Sequence, residues 1–149
     1  MSTPAGIDAN KALVRAYNQT VFNDHHTDRA ADLLARDVSW HGGTLGTMDG
    51  VDNIAAMVRG IIDALPDLTA TEQDIVAEGD TVAVRYVVEA THQGDLLGIP
   101  ATGRRVRWDA VDVYRVANGK IVEEWVGDDL LAILVDLGAY TPPWLGGRS

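Results

Sequence analysis

The sequence predicts an α+β fold in which helices pack against one face of a curved antiparallel sheet. Apolar residues recur at helical spacing in the first part of the chain, up to Pro66. From Leu68 onward they alternate with polar residues, which is typical of half-buried strands, and a short helical segment follows the last strand. Helices followed by antiparallel strands give an α+β architecture. At 149 residues and without a visible linker, the chain is expected to form one domain, residues 1–149.

Helix predictions follow from the apolar spacing together with capping and stop residues. The clearest helical period ends at Pro66, because proline cannot continue a helix. The predicted helices cover Asp8–Phe22, a short segment from Thr27, the segment Val51–Leu65, and a closing segment from a cap at Asp128 or Asp129 to Leu137.

Strand predictions follow from the alternation of apolar and polar residues. Asn118-Gly119 is a strong signal for a two-residue hairpin turn, so the strands on either side of it should pair. The glycines between residues 42 and 50 indicate a loop. The predicted strands cover Val38–His41, Leu68–Ala77, Thr81–His92, Arg104–Val116 and Lys120–Gly127.

The composition argues against several classes of function. The net charge of −10 counts against a nucleic-acid partner, since the phosphate backbone attracts basic proteins. The chain has no cysteine, which removes disulfides and thiol chemistry, and its histidines lack ligand spacing, so no metal is expected. No apolar run approaches about 18 residues. Because the N-terminus also lacks a signal pattern, we expect a cytoplasmic protein without a membrane partner.

The strand before the hairpin contains an unusual carboxylate. One face of this strand consists of Val106, Trp108, Ala110, Asp112 and Tyr114, and Asp112 is its only charged residue. Burying a lone carboxylate is costly unless it is hydrogen-bonded or protonated. Asp112 is therefore the first candidate for a catalytic acid or base. The alternative is a structural carboxylate that pairs with Arg85 or another buried donor.

The other face of the same strand indicates an interface. It consists of charged and apolar residues, among them Arg107, Val111, Val113 and Arg115. A second subunit can cover such a mixed sheet surface, so we expect a homodimer.

His41 and three tryptophans are further candidates. His41 ends the first predicted strand, and a histidine suits proton removal because its side chain ordinarily titrates near neutral pH. The alternative is an exposed histidine at a strand end. Trp40, Trp108 and Trp125 would form stacking walls for a flat ring system, and each of them is equally compatible with the core or with a contact between subunits.

Several segments together resemble the SnoaL-like polyketide cyclases of the NTF2-like superfamily. They are NKALVRAYN, ALPDL, VAEGDTVAVR, THQGDLLGIPATGRRV, DVYRVANGKIVEEW and LVDLG, which follow in the family's order over nearly the whole chain. The resemblance implies a cone-shaped α+β barrel whose curved sheet and N-terminal helices enclose a hydrophobic cavity. It also implies that Tyr17 and His92 line this cavity. His41 would stand at about the position of the base in ketosteroid isomerases of the same superfamily.

The resemblance also allows the family's catalytic positions to be compared with this sequence. Cyclases that close the last ring of anthracycline precursors use a carboxylate on the final strand as acid and base in an aldol reaction. The resemblance places this carboxylate at Val126, and its supporting glutamine and histidine at Ala110 and Asp112. A valine cannot transfer a proton, so the cyclase mechanism is not expected to transfer. Ala110 and Val126 remain expected substrate contacts.

The family also contains hydroxylases of anthracycline biosynthesis, and this chain resembles that branch. The missing carboxylate, the segment Trp40–Gly46 and the WLGG tail favour it. We therefore predict a tailoring enzyme that hydroxylates an anthraquinone-type polyketide, with molecular oxygen as co-substrate, no cofactor and a partner reductase. The alternatives are a cyclase or isomerase that works through Asp112 or His41, and a non-catalytic ligand-binding module.

Overall fold

The computed structural model describes residues 4–146 and confirms the α+β class, with helices packed on one face of a six-stranded sheet. The α-helices are α1 Pro4–Tyr17, α2 Val51–Ala64 and α3 Leu130–Asp136. A π-helix, Asn18–Asn23, continues α1, and 3₁₀-helices cover Thr27–Asp32 and Gly43–Leu45. The strands are β1 Leu34–His41, β2 Thr47–Asp49, β3 Thr69–Glu78, β4 Thr81–Thr91, β5 Arg105–Ala117 and β6 Lys120–Asp128. No helix within this described range is long and apolar enough to cross a membrane.

The sheet is mixed and open. Its strand order is β2-β1-β6-β5-β4-β3, and in the described part of the chain the edge strands β2 and β3 do not pair. β1 runs parallel to β6, whereas the other neighbouring pairs are antiparallel. The sheet, which the sequence predicts to be antiparallel, therefore contains one parallel pair. The parallel pairing arises because α2 and strands β3 to β5 connect β1 to β6, which gives the long crossover that parallel strands need.

The first predicted helix changes its geometry at its C-terminal end. The N–H of Asp24 donates to the carbonyl of Gln19, five residues earlier, at 2.8 Å. In this wider turn the side chains of Asn18 and Asn23 each donate to the Ala70 carbonyl at 3.0 Å. The turn therefore ties the end of α1 to β3. Such π-turns are frequent at functional sites.

The loop predicted between residues 42 and 50 contains a short strand that the sequence did not reveal. β2 pairs with β1, so that Ser39 lies opposite Asp49 and Trp40 opposite Met48. A strand of three residues is too short to show the alternation on which strand predictions depend.

A β-bulge decides which residues of β6 face the helices. Arg115 pairs with Glu123 but Val116 pairs with Ile121, so Val122 is an extra residue in β6. A strict alternation from the buried Ile121 would turn odd-numbered residues inward. After the bulge the even-numbered residues of β6 face inward instead.

The closing helix begins at one of its two predicted caps. The Asp129 side chain accepts a hydrogen bond from the N–H of Ala132 at 3.1 Å, as expected for an N-cap. Asp128 is the last residue of β6, and its side chain faces the inner side of the sheet. Asp129 is therefore the cap, and the side chain of Asp128 is available for contacts on the inner side of the sheet.

The core lies between the inner face of the sheet and helices α1 and α2. Alternate residues of β4 and β5 are buried there, as the sequence pattern predicts. Fully enclosed members of this core are Val14, Val21, Val38, Ile54, Val58, Val82, Ala90 and Val106.

We expect Gly127→Ala to lower the free energy of unfolding by about 1–3 kcal/mol, because the new methyl group overpacks β5 against β6. A Cβ atom at Gly127 would lie only 2.7 Å from the backbone oxygen of Val111. Gly60→Ala in α2 is the matched control, since a Cβ there meets nothing within 4 Å. This control should raise the free energy of unfolding by about 0.5–1 kcal/mol. Urea denaturation measures both free energies of unfolding. A Gly127→Ala variant as stable as the wild type would contradict the close approach of the β5 backbone to Gly127.

Candidate active site

A cavity lies between the helices and the inner face of the sheet. Its walls are mostly apolar and aromatic, with Phe22, Trp40 and Trp108 among them. The polar side chains that line it are Asn18, Tyr86, Asp112, Tyr114, Glu124 and Asp128. Its volume is about 90 Å³, which makes it narrow. An apolar cavity with a few convergent polar groups is the usual form of a ligand site.

Two neighbouring strands bring three carboxyl groups into this cavity. Asp112 lies on the inner face of β5, and the bulge directs Glu124 and Asp128 of β6 to the same side. Asp112 is 9% exposed and Glu124 is 2% exposed. Among the described residues that line the cavity there is no lysine or arginine. Since no cation compensates these carboxyl groups, burial must favour their protonated forms.

Asp112 is held by two long hydrogen bonds. Its Oδ1 accepts from the N–H of Gly127 at 3.3 Å, and its Oδ2 accepts from the hydroxyl of Tyr114 at 3.4 Å. Burial, and then the charge of Asp128, raise the pKa of Asp112 to about 7, although both hydrogen bonds act in the opposite direction. The group can therefore bind and release a proton near neutral pH. Arg85 is not its partner, because that side chain is exposed and donates to Asp74 at 2.9 Å.

Glu124 and Asp128 differ in their partners. The Oε2 atom of Glu124 is buried and has no hydrogen-bond partner in the described part of the chain. Burial, followed by the charges of Asp112 and Asp128, raises the pKa of Glu124 well above its ordinary value. Asp128 accepts a hydrogen bond from the indole N–H of Trp108 at 2.8 Å. Burial also raises the pKa of Asp128, and the bond from Trp108 partly offsets this effect.

Tyrosine hydroxyls extend from Asp112 into the wall. The Tyr86 hydroxyl lies 3.4 Å from that of Tyr114, which donates to Asp112. Burial raises the pKa of both tyrosines, so they stay protonated and act as donors. The ring of Tyr17 packs edge-on against Tyr114, with 6.3 Å between the centroids.

Five of the predicted site residues meet in the cavity. Asp112, Trp40, Trp108, Ala110 and Val126 all contribute to its walls. Tyr17 does not, because its fully buried ring lies behind Tyr114 and is not part of the cavity lining. Tyr17 therefore lies next to the cavity, behind Tyr114, and does not line it directly.

The structure does not place His41 and Trp125 at the cavity. His41 contacts the carboxylate of Glu123 through Nε2 at 2.8 Å, and its ring stacks on Trp125 at 5.2 Å. The guanidinium of Arg115 lies 5.1 Å from the centre of the Trp125 ring. This group lies on the outer face of the sheet, because the bulge in β6 reverses the alternation that would turn Trp125 inward. His41 cannot reach a molecule in the cavity.

His92 is also absent from the cavity wall. It follows β4 and is completely buried. Its Nδ1 accepts a hydrogen bond from the N–H of Thr102 at 3.2 Å and lies 2.9 Å from the Thr102 hydroxyl. His92 thus closes the loop between β4 and β5. No group of three or more His, Cys, Asp or Glu side chains within residues 4–146 is arranged to hold a metal ion.

Sequence reasoning missed Glu124 and the inward position of Asp128. Glu124 stands next to Glu123 in a strand with several charged residues, and only the bulge distinguishes the two. The sequence pattern identifies Asp128 only as a possible helix cap. No local pattern marks the bulge, because Asn118 and Gly119 form a two-residue turn with positive φ at both residues, and this turn pairs Ala117 with Lys120 in regular register.

Comparison with known proteins gives consistent results. The sequence profile of the SnoaL-like polyketide cyclases matches residues 11–137. The aklanonic acid methyl ester cyclase DauD of Streptomyces sp. (strain C5) is 28% identical over 145 residues, covering 95% of this chain and 87% of DauD. AclR of Streptomyces galilaeus, provisionally described as a hydroxylase, is 30% identical with a TM-score of 0.80, covering 91% of this chain and 99% of AclR.

A second solved structure is similar to the same extent. IdmH of Streptomyces antibioticus, provisionally described as a polyketide cyclase, is 31% identical with a TM-score of 0.76. The alignment covers 87% of this chain and 98% of IdmH. Because the family profile spans most of the sequence and these folds agree over most of their length, the chain belongs to the SnoaL-like polyketide cyclase family.

Proposed function

We propose that the protein catalyses an acid–base ring closure, an intramolecular aldol reaction, on an aromatic polyketide of the anthracycline type. The principal support is Asp112, a carboxyl group in an apolar cavity whose pKa is raised by burial to about 7. A base with such a pKa suits proton removal from carbon at neutral pH. The similarity to DauD, a cyclase of aklanonic acid methyl ester, supports the substrate class.

The strand register explains how a cyclase can work without a carboxylate at Val126. Asp112 pairs directly with Val126 across β5 and β6, and Ala110 pairs with Asp128. Side chains of directly paired residues on one sheet face are about 5 Å apart at Cβ. The carboxylates at 112 and 128 thus flank the position that the family resemblance assigns to the catalytic carboxylate. The absence of a proton-transferring side chain at 126 therefore does not exclude the aldol mechanism.

The walls of the cavity suit a flat substrate, provided that some of the lining side chains move to enlarge it. Trp40 and Trp108 offer aromatic surfaces on which fused rings can stack. The present volume of about 90 Å³ is below the roughly 300–1,000 Å³ usual for ligand pockets. We therefore infer that the half-buried side chains of Phe22, Met57 and Ile61 move when substrate binds.

Hydroxylation remains the second candidate because of the 30% identity with AclR. In that reaction a reduced anthraquinone would pass electrons to molecular oxygen, and a partner reductase would keep the substrate reduced. The two functions differ in their need for oxygen. Turnover of aklanonic acid methyl ester under strict exclusion of oxygen supports the cyclase, whereas a product that carries label from ¹⁸O₂ supports the hydroxylase. Binding without turnover of either substrate supports a non-catalytic module.

The homodimer and the cytoplasmic location remain predictions. The outer sheet face has the mixed character expected of an interface, with Val111 51% exposed between charged residues. Arg107 and Arg115 on this face already pair within the chain, with Glu89 and Glu123.

Asp112→Asn should lower kcat for anaerobic ring closure of aklanonic acid methyl ester by about 100-fold or more, because the amide cannot accept a proton. His41→Ala is the matched control on the outer face and should leave kcat within about twofold of the wild type. Product analysis by mass spectrometry with steady-state kinetics measures both. An Asp112→Asn enzyme with wild-type kcat would refute Asp112 as the base.

Asp112→Asn should also make stability less sensitive to pH. Because burial raises the pKa of Asp112 from 3.8 to about 7, the folded state retains a proton that the unfolded chain releases. Wild-type stability is therefore lost as pH rises from about 4 to 7. The free energy of unfolding of Asp112→Asn, relative to that of the wild type, should therefore rise by up to about 4 kcal/mol between pH 4 and pH 8.

Urea denaturation at these two pH values measures the difference, and Asp63→Asn at an exposed position is the control. If the free energies of unfolding of Asp112→Asn and the wild type differ by the same amount at both pH values, the Asp112 carboxyl group is not buried as described.

A further inference from the structure

Glu124 is the most enclosed of the three carboxyl groups and has the fewest partners. It is 2% exposed, and its buried Oε2 atom has no hydrogen-bond partner within residues 4–146. It nevertheless belongs to the cavity lining. An ionised carboxylate at this place would lack a counter-ion, since no lysine or arginine lines the described cavity, and its Oε2 atom is shielded from bulk solvent. Burial therefore favours the protonated group, and a proton on Oε2 has no acceptor among residues 4–146.

The preceding residue, Glu123, has the cationic partners that a carboxylate in this strand can find on the outer face. Glu123 lies on the outer face, where Arg115 donates to it at 2.7 Å and His41 lies 2.8 Å away. Glu124 has no such cation. The titratable groups around it are Tyr17 of α1, Tyr86 of β4, Asp112 and Tyr114 of β5, and Asp128 of β6. All of them are acids, so their ionisation would only strengthen the retention of the proton on Glu124.

Asp112 and Glu124 have unequal environments although they interact. The N–H of Gly127 and the hydroxyl of Tyr114 donate to Asp112 and stabilise its anion. The Oε2 of Glu124 receives no such bond. When one of the two groups ionises, Asp112 is therefore favoured. Two carboxyl groups with such different environments commonly divide the roles of base and acid.

We propose that Glu124 is a second catalytic residue, a neutral carboxylic acid that protonates the carbonyl oxygen attacked during ring closure. This inference rests on the proposed cyclase function. Tyr114 pairs with Glu124 as Asp112 pairs with Val126, so Glu124 is the diagonal neighbour of Asp112. The two groups then act on the substrate from adjacent points of one wall.

The proton balance of the reaction closes without an oxidant. Asp112 takes a proton from the carbon next to a substrate carbonyl, and the resulting carbanion forms a bond to the second carbonyl carbon. The electron pair of that C=O bond moves to oxygen, which receives the proton of Glu124. Proton transfer from Asp112 to Glu124 then restores the starting state.

Glu124→Gln tests this role because the amide keeps the size of the side chain but cannot transfer a proton. We expect kcat for anaerobic ring closure of aklanonic acid methyl ester to fall by about 100-fold or more, with KM within about threefold of the wild type. The fall of the wild-type kcat at alkaline pH, which reports loss of the acid's proton, should disappear in the variant. A purely structural residue would not change this limb of the pH profile.

Glu123→Gln is the matched control, since it changes the neighbouring carboxylate on the outer face, and its kcat should stay within about threefold of the wild type. If Asp112→Asn is inactive but Glu124→Gln keeps kcat and the alkaline limb, Glu124 is not the acid and the cyclase proposal stands. If the wild type does not close the ring at all, the proposed function fails and the role of Glu124 fails with it.

Glu124→Asp gives an independent answer if Glu124→Gln does not fold. The shorter side chain keeps the acid but withdraws it by one methylene group. We expect a kcat lowered by about 10-fold or more with the alkaline limb preserved. A wild-type kcat in Glu124→Asp would overturn the proposal.

Discussion

The pairing of β5 with β6 determines the chemistry of the cavity. One extra residue in β6 turns Glu124 and Asp128 inward, onto the sheet face that also presents Asp112. Without this bulge the strand would direct Glu123 toward the helices and leave Glu124 among the cations of the outer face. The close approach of β6 to β5 at Gly127 also supplies the N–H that binds Asp112. Register, rather than any single side chain, thus assembles the site.

Desolvation then gives these carboxyl groups their properties. No cation lines the described cavity, so burial raises the pKa of Asp112, Glu124 and Asp128 alike. Hydrogen bonds differentiate them, since Asp112 and Asp128 accept bonds from neighbouring donors whereas the Oε2 of Glu124 does not. An acid and a base can therefore coexist in one apolar space. The arrangement opposes folding at neutral pH, which is typical of groups retained for chemistry rather than for stability.

The sequence predicted the fold more fully than the site. Regular alternation in β5 identified the inner face and Asp112, because a long strand in a sheet has a period of two. The parallel contact of β1 with β6 depends on long-range packing that no local pattern records. The positions of Trp125 and Glu124 could not be predicted either. One inserted residue exchanges the two faces of a strand, so the bulge turns Trp125 outward and Glu124 inward. The end of a strand does not indicate which sheet face its last side chain joins, so the sequence does not reveal that His41 lies on the outer face.

The titration of the Asp112 carboxyl group tests most directly whether this cavity holds an acid–base site. It can be followed by ¹³C NMR of protein labelled in aspartate side chains, with Asp112→Asn to assign the signal. A buried group without a counter-cation should titrate with a midpoint of about 7. A midpoint near the ordinary value of 3.8 would show a solvated or ion-paired carboxylate and would contradict Asp112 as a base poised for neutral pH.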